Sequence, residues 1–214
     1  SAENAGVAVA ILGVSLLFTI SGLPGPAGLA WIACLLHLAA HSLAKGTLFL
    51  TADGVYSVNG SYAIRQTGLL RNTSLFFGIG ALFAAMSLAA LPPQAGFVSE
   101  WYAFQTLFQG MQVKVIAARL TIALAAAGLA LVVAVALATF AKLFGVGLLG
   151  DGHTHPTHLS PARCGSVFFL GLCVLGLAVG MPWWVQALGP ASHSMFGVNA
   201  AALMKSGWVL VPLS

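Results

Sequence analysis

Residues 35–50, LLHLAAHSLAKGTLFL, place two histidines and a lysine inside a run of apolar residues that has the composition of a membrane-spanning helix. The three ionisable side chains, His37, His41 and Lys45, are spaced four residues apart. In a helix, residues four apart differ by only about 40° around the axis, so the three form a stripe that climbs roughly 12 Å along one face. The stretch therefore predicts a membrane helix with a line of ionisable groups on one side.

The composition of the whole chain also indicates a membrane protein. Of its 214 residues, 59% are hydrophobic and 6% are charged, and the mean hydropathy is +0.98. These values lie outside the range of soluble globular domains. The net charge of +4 arises because acids are scarce, and no basic cluster predicts a nucleic-acid partner. We expect an integral membrane protein in contact with a lipid bilayer.

Six apolar segments account for most of the chain. A spanning helix needs about 20 predominantly apolar residues, so the fourth segment is too short to cross a membrane alone. The sequence therefore predicts an all-α fold, a polytopic transmembrane helix bundle of about six hydrophobic segments that includes one discontinuous helix. The segments are 5–23, 26–55, 73–91, 94–109, 120–149 and 164–188.

The discontinuity is predicted at the start of the fourth segment, LPPQAGF. Pro92 and Pro93 remove backbone donors, and Gly96 has a low helix preference, so a broken or half helix is the natural interpretation. A plain loop followed by a short helix is the alternative.

The stripe of residues 37, 41 and 45 has the groups that a proton relay requires. A lysine at the centre of a spanning helix costs about 2.5 to 3.5 kcal/mol, so such residues usually face a bundle interior or a water-filled cavity and mark ion or proton paths. Histidine titrates near neutral pH. Three alternatives remain: Lys45 extends to the interface, Cys34 binds a metal ion together with the two histidines, or Asp53 simply ends the helix at the interface.

Three further charged residues in apolar surroundings are candidates. Glu100 follows the proline break, where a carboxylate can lie among unsatisfied backbone groups and water, although a glutamate in the first turn also favours the helix dipole. Lys142 lies near the end of the fifth segment, where a buried role and extension to the interface are equally plausible. Glu3 caps or lines the first helix, and alone it supports no functional assignment.

No metal or cofactor site is predicted. The three cysteines lie in or beside apolar runs without C-x-x-C spacing, so neither a disulfide framework nor an iron–sulfur site is indicated. The loop HTHPTH contains His153, His155 and His158, a composition that can bind metal adventitiously, but a solvent-exposed loop is the simpler interpretation.

Three stretches together resemble one protein family. HLAAHSLAKGTLFL is similar to its pattern H-x-x-x-H-x-x-F-K-G/A-x-L-F-L, LAALPPQAGFVSEW to L-P-P-x-x-G-F-x-S-[EK], and FAKLFGVGLLG to a later helix end. The family comprises the antiporter-like proton-translocating membrane subunits of respiratory complex I, Mrp-type cation/proton antiporters and membrane-bound NiFe hydrogenases. SAEN at the start and E-W after GFVS resemble most closely its hydrogenase-4 component B or formate hydrogenlyase branch.

The resemblance implies a domain organisation. Members of the family contain two inverted five-helix repeats, each with a discontinuous helix. This chain would be a single transmembrane domain, 1–214, forming the C-terminal part of a longer subunit. It would hold the second five-helix repeat at 1–150 and an additional helix at 164–189. The start and end of the sequence, without a signal peptide or a polar tail, also predict a fragment of something longer.

The resemblance also implies the roles of individual residues. His37, His41 and Lys45 would belong to a central hydrophilic axis, Glu100 would be the titrating residue on the broken helix, and Lys142 would be a further lysine of the axis. The family usually has Phe where this chain has Ala44. It also has a glycine-rich GAG where this chain has TAD, so Asp53 is an acid that the pattern does not predict.

The function implied is proton translocation across the bacterial inner membrane. The chain would be a non-redox subunit of a NiFe hydrogenase, formate hydrogenlyase or NADH:quinone oxidoreductase type of complex. It would have no cofactor of its own, and its partners would be other membrane subunits and a peripheral redox module. The alternatives are a cation/proton antiporter or inorganic-carbon pump subunit without a redox partner, and a purely structural membrane anchor.

Overall fold

A computed structural model describes residues 2–60, 70, 73–150, 159–205 and 209–210. Within these residues the chain forms an all-α bundle, with only a two-residue antiparallel pair, β1 (Met204–Lys205) and β2 (Val209–Leu210), outside it. The helices are α1 (Ala2–Ile20), α2 (Pro24–Asn59), α3 (Leu75–Leu88), α4 (Ala95–Phe108), α5 (Ile116–Lys142), α6 (Pro161–Val179) and α7 (Met181–Phe196).

Four of these helices are long and apolar enough to cross a membrane. They are α1, α2, α5 with its continuation to Leu148, and α6, while α3 is a shorter apolar helix. In the most apolar stretch of α2, 61% of the residues are buried inside the protein, compared with 17% for α5. Helix α2 is thus enclosed by the rest of the chain, whereas α5 exposes most of its apolar surface. The chain is an integral membrane protein with a polytopic helical fold.

The sixth apolar segment contains two helices where the sequence predicts one. Helix α6 ends at Val179, Gly180 forms the N-cap of α7, and Pro182 lies in the first turn of α7. Glycine has a low helix propensity, and proline lacks the backbone N–H that a continuing helix would need, so the pair interrupts the segment. Helix α7 then continues to Phe196, beyond the predicted end at residue 188.

The predicted break lies between α3 and α4. Helix α3 ends at Leu88, Ala90 adopts a left-handed conformation with φ of 50°, and α4 begins at Ala95. The chain turns back closely on itself at this break. The Gly96 N–H donates a 3.0 Å hydrogen bond to Ser87 Oγ across the turn. A Cβ atom at Gly96 would lie 1.7 Å from the Ser87 carbonyl oxygen, so only glycine fits there.

The chain divides into two compact units. One comprises Ser1–Ala39, Val98–Val133 and Val179–Ser214, and the other Ala40–Phe97 and Ala134–Ala178. Helices α2 and α5 therefore contribute one part to each unit, whereas α1 lies wholly in the first. In the first unit, α1 and α2 are joined by a hydrogen bond from Ser15 Oγ to the Ala27 carbonyl. In the second, Gly80 and Gly171 let α3 and α6 approach until their backbones touch, a contact typical of membrane helices.

Candidate functional site

Helix α4 carries a row of buried polar side chains within an apolar bundle. Ser99 is fully buried and Thr106 nearly so, while Glu100, Tyr102 and Gln105 are exposed by 8% or less. All five belong to the first unit. Burying polar groups is costly unless they bind one another, water or protons, so a row of this kind marks α4 as a candidate functional element.

A contact between His37 and Ser99 joins α2 to α4 inside the first unit. The His37 ring is 2% exposed, and its Nδ1 lies 3.2 Å from the Ser99 hydroxyl. A serine hydroxyl can both donate and accept, so it suits either tautomer of the neutral imidazole. Because Ser99 directly precedes Glu100, this contact brings His37 to the turn of α4 that carries the predicted carboxylate.

Glu100 is a buried carboxyl group without a full set of partners. It is 7% exposed, and its Oε2 has no hydrogen-bond partner in the described part of the chain. A buried ionisable group in a membrane protein that is not held in a structural ion pair is a candidate for exchanging protons with its surroundings.

Glu3 is a second carboxylate of the first unit. It lies in the first turn of α1 and is partly buried. It also lines an apolar cavity of about 400 Å³ formed by α1, Leu107 and the middle of α5. The sequence offers one signal for Glu3, an acid in the first turn of an otherwise apolar helix.

His41 and Lys45 lie further along α2, in the second unit. Because α2 is helical from Pro24 to Asn59, residues 37, 41 and 45 lie on one uninterrupted helix. His41 is partly buried, and its Nδ1 has no hydrogen-bond partner among the described residues. The Lys45 ammonium lies 5.3 Å from the centre of the Phe49 ring, within the range of a cation–π interaction.

Lys142 occupies a different environment from the other predicted residues. It is exposed on the last turn of α5, just before a π-helical turn over Leu143–Leu148. Within the described ranges, no ion pair or hydrogen bond holds its side chain. The structure thus brings His37 into contact with Ser99, the residue before Glu100, and leaves Lys142 at a helix end.

The metal-binding alternative finds no support in the described residues. The Cys34 thiol lies 3.3 Å from the Ala8 carbonyl oxygen, to which it donates, and no group of three His, Cys, Asp or Glu side chains is gathered in this part of the chain. His153, His155 and His158 lie outside the described residues.

Two polar residues of this region were not singled out from the sequence. One is Ser99, the partner of His37. The other is Gln94, which is fully buried in the second unit just before α4, with neither amide atom of its side chain hydrogen-bonded in the described structure. Both lie within the motif LPPQAGFVSE, so their position beside the break was the available signal.

Comparison with known proteins identifies the family. The model of the family "NADH:quinone oxidoreductase/Mrp antiporter, TM" matches residues 8–125, more than half of the chain. The chain belongs to this family. The matched region contains His37, His41, Lys45 and Glu100, together with the break before α4, and it ends before Lys142.

Individual relatives point to the hydrogenase branch of the family. The chain is 31% identical, over 98% of its length, to hydrogenase-4 component B of Escherichia coli K12. It is 33% identical, over 88% of its length, to formate hydrogenlyase subunit 3 of the same strain. It spans 32% of the length of each. A shorter match, 39% identical over 35% of the chain and 15% of the relative, is to NADH-quinone oxidoreductase subunit N of Desulforudis audaxviator. The resemblance drawn from the motifs is confirmed.

Proposed function

We propose that the chain is a proton-translocating part of a membrane subunit in an energy-converting oxidoreductase complex. The complex would be of the NiFe hydrogenase, formate hydrogenlyase or NADH:quinone oxidoreductase type, in the bacterial inner membrane. Other membrane subunits and a peripheral redox module would be its partners, and the redox chemistry would take place there. The names of the relatives, which are components or subunits of such enzymes, support this assignment.

The contact between His37 and Ser99 beside Glu100 is the observation that carries the proposal. It joins α2 to α4 through a buried imidazole ring, next along α4 to a buried carboxyl group, inside an apolar protein. In a medium of low dielectric constant, a change of charge on one such group shifts the proton affinity of its neighbours strongly. Protonation of one group can therefore drive release from the next, which is what stepwise proton transfer requires.

The relay would continue along α2 through His41 to Lys45. Successive side chains four residues apart are neighbours on a helix surface, so water molecules between them can complete the path. Lys142, exposed at the end of α5, would be the outermost group of the axis. The assignment of all five residues as relay groups and the division into a five-helix repeat with an additional helix are parts of this proposal.

Two substitutions in the full-length protein within its assembled complex test the proposal. Lys45→Met and Glu100→Gln remove titratable groups while keeping side-chain size, and each should lower redox-driven proton translocation into vesicles by at least about tenfold. Lys114→Met, which removes an exposed lysine between α4 and α5, is the matched control and should leave translocation unchanged. Wild-type translocation in both test variants, with the complex assembled, would refute the relay.

The same vesicles separate the proton pump from a cation/proton antiporter, here tested with sodium; the family description also names an antiporter. Under the proposal, translocation continues when sodium is replaced by potassium. If sodium is required and no redox partner copurifies with the protein, the antiporter assignment replaces the pump.

A further inference from the structure

Asp53, the acid that the family pattern does not predict, forms a defined cluster in the second unit. Its Oδ2 lies 3.0 Å from Nη2 of Arg163, in the first turn of α6. Nη1 of the same arginine donates a 2.9 Å hydrogen bond to Ser57 Oγ, one turn further along α2. Asp53 is 51% exposed and Arg163 31% exposed. The carboxylate is therefore held in place by the guanidinium and accessible to solvent at the same time.

The position of Asp53 continues the row of residues that carries the stripe. From Lys45, steps of four residues along α2 lead to Phe49 and then to Asp53. Each step shifts the side chain by about 40° and raises it by roughly 6 Å, so these residues form one inclined ridge. The Lys45 ammonium lies over the Phe49 ring, at the middle of this interval. The lysine head group therefore contacts the residue that lies midway between Lys45 and Asp53 on this ridge.

Helix α2 is longer than the core of a membrane. Its 36 residues span about 54 Å, whereas the hydrocarbon core of a bilayer is about 30 Å thick. Part of the helix must therefore extend beyond the core. Asp53 and Arg163, close to the ends of α2 and α6, are the kind of charged residues found at the membrane–water boundary.

We propose that Asp53 exchanges protons between the α2 stripe and bulk water, and that Arg163 and Ser57 position its carboxylate. This inference rests on the proposed function. In the outward direction, Lys45 gives up one N–H proton to intervening water, the Asp53 carboxylate takes up a proton as an O–H group, and that proton then passes to bulk water. In the inward direction the same bonds form and break in reverse order. No electrons are transferred.

Removing the Asp53 carboxylate and removing its ion-pair partner Arg163 are expected to affect proton translocation differently. Asp53→Asn keeps an oxygen that can accept the hydrogen bond from Arg163 but cannot carry a proton. Arg163→Gln leaves the carboxylate in place and removes the ion pair. In the assembled complex with the full-length protein, we expect Asp53→Asn to lower proton translocation severalfold, Arg163→Gln to lower it much less, and Asp53→Glu to retain it. An exposed ion pair adds little to stability, so the melting temperature should change little in all three.

Chemical rescue shows whether Asp53 carries protons or only forms an ion pair that joins α2 to α6. Imidazole, added as a small diffusible proton carrier, should restore translocation in Asp53→Asn, because the missing group faces water, and should not restore it in Lys45→Met. Unchanged translocation in Asp53→Asn, failure of imidazole to rescue it, or equal losses of translocation and melting temperature in Asp53→Asn and Arg163→Gln would overturn the inference. Wild-type translocation in Lys45→Met would refute the relay itself, whatever the result at Asp53.

Discussion

Glu100 and His37 are buried where ionisable groups add little to the stability of a membrane protein. His37 is 2% exposed and contacts Ser99, and Glu100 has an oxygen without a hydrogen-bond partner in the described structure. An apolar residue of similar size would avoid the cost of burying either group. Their presence in an otherwise apolar chain is therefore in keeping with the proposed role in proton transfer.

Substitution of Ser99 by alanine tests the role of its hydroxyl. Loss of the hydrogen bond to the His37 ring should cost about 1 kcal/mol of stability and lower proton translocation severalfold, because the ring loses the group that orients it. Ser194→Ala, which removes only a hydrogen bond within α7 at an exposed position, is the control. Translocation and melting temperature should be measured on the same preparations. Full activity in Ser99→Ala would show that this contact does not orient the histidine.

At Gln94, in contrast to Ser99, we expect a substitution to increase the stability of the protein. Its side chain is fully buried, and neither amide atom is hydrogen-bonded within the described residues, so replacing it with leucine removes no hydrogen bond and adds apolar contact. We expect Gln94→Leu to raise the free energy of unfolding by about 1 kcal/mol. Gln186→Leu, at an exposed position of α7 where the amide donates only a long 3.5 Å hydrogen bond to the Ala201 carbonyl, should change it by less than about 0.5 kcal/mol. A lower melting temperature in Gln94→Leu would mean that the amide has partners, such as bound water.

At the scale of secondary-structure elements, the break between α3 and α4 directly precedes the polar row. The chain leaves the helical path at Leu88 and resumes it at Ala95, a turn before Ser99 and Glu100. The close approach of Gly96 to Ser87 fixes this geometry.

An alanine at position 96 should therefore be disruptive. Its Cβ would meet the Ser87 carbonyl oxygen at 1.7 Å, and the backbone would have to move, at a cost of at least about 2 kcal/mol. Gly13→Ala is the matched control, because a Cβ there has nothing within 4 Å and alanine favours the helix. Thermal melting in detergent distinguishes the two, and equal melting temperatures would show that the tight turn at Gly96 is not required.

The sequence predicted these elements where composition determines them locally. Helix α2 follows from apolar length and is confirmed, and the proline break, which follows from missing backbone donors, is an interruption at residues 89–94 after which the short helix α4 begins. The division of the last segment at Gly180 was missed, because one glycine followed by Pro182 is a weak signal within a long apolar run. Asp53 was considered as a possible end of α2, but the helix continues to Asn59.

The candidate site was predictable in its residue types but not in its contacts. The cost of placing charges among apolar residues identified the histidines, the lysine and Glu100 from the sequence alone. The partnership of His37 with Ser99 and that of Asp53 with Arg163 depend on which helices pack together. These pairs are 62 and 110 residues apart, too far for any local pattern to indicate them.

For the whole molecule, the chain covers about a third of its Escherichia coli relatives, so its activity is to be tested in the full-length protein within its complex. Under the proposed relay, Glu100 gains and loses a proton during turnover of that complex. This makes the protonation state of one carboxyl group the quantity on which the proposed function depends most directly.

Infrared difference spectroscopy of the working complex measures that quantity. We predict a carboxylic-acid C=O stretching band that appears or disappears on turnover, shifts when the solvent is changed to D2O, and is absent from Glu100→Gln. If the same band persists unchanged in Glu100→Gln, or if the wild-type complex translocates protons without any such band, Glu100 does not carry the proton.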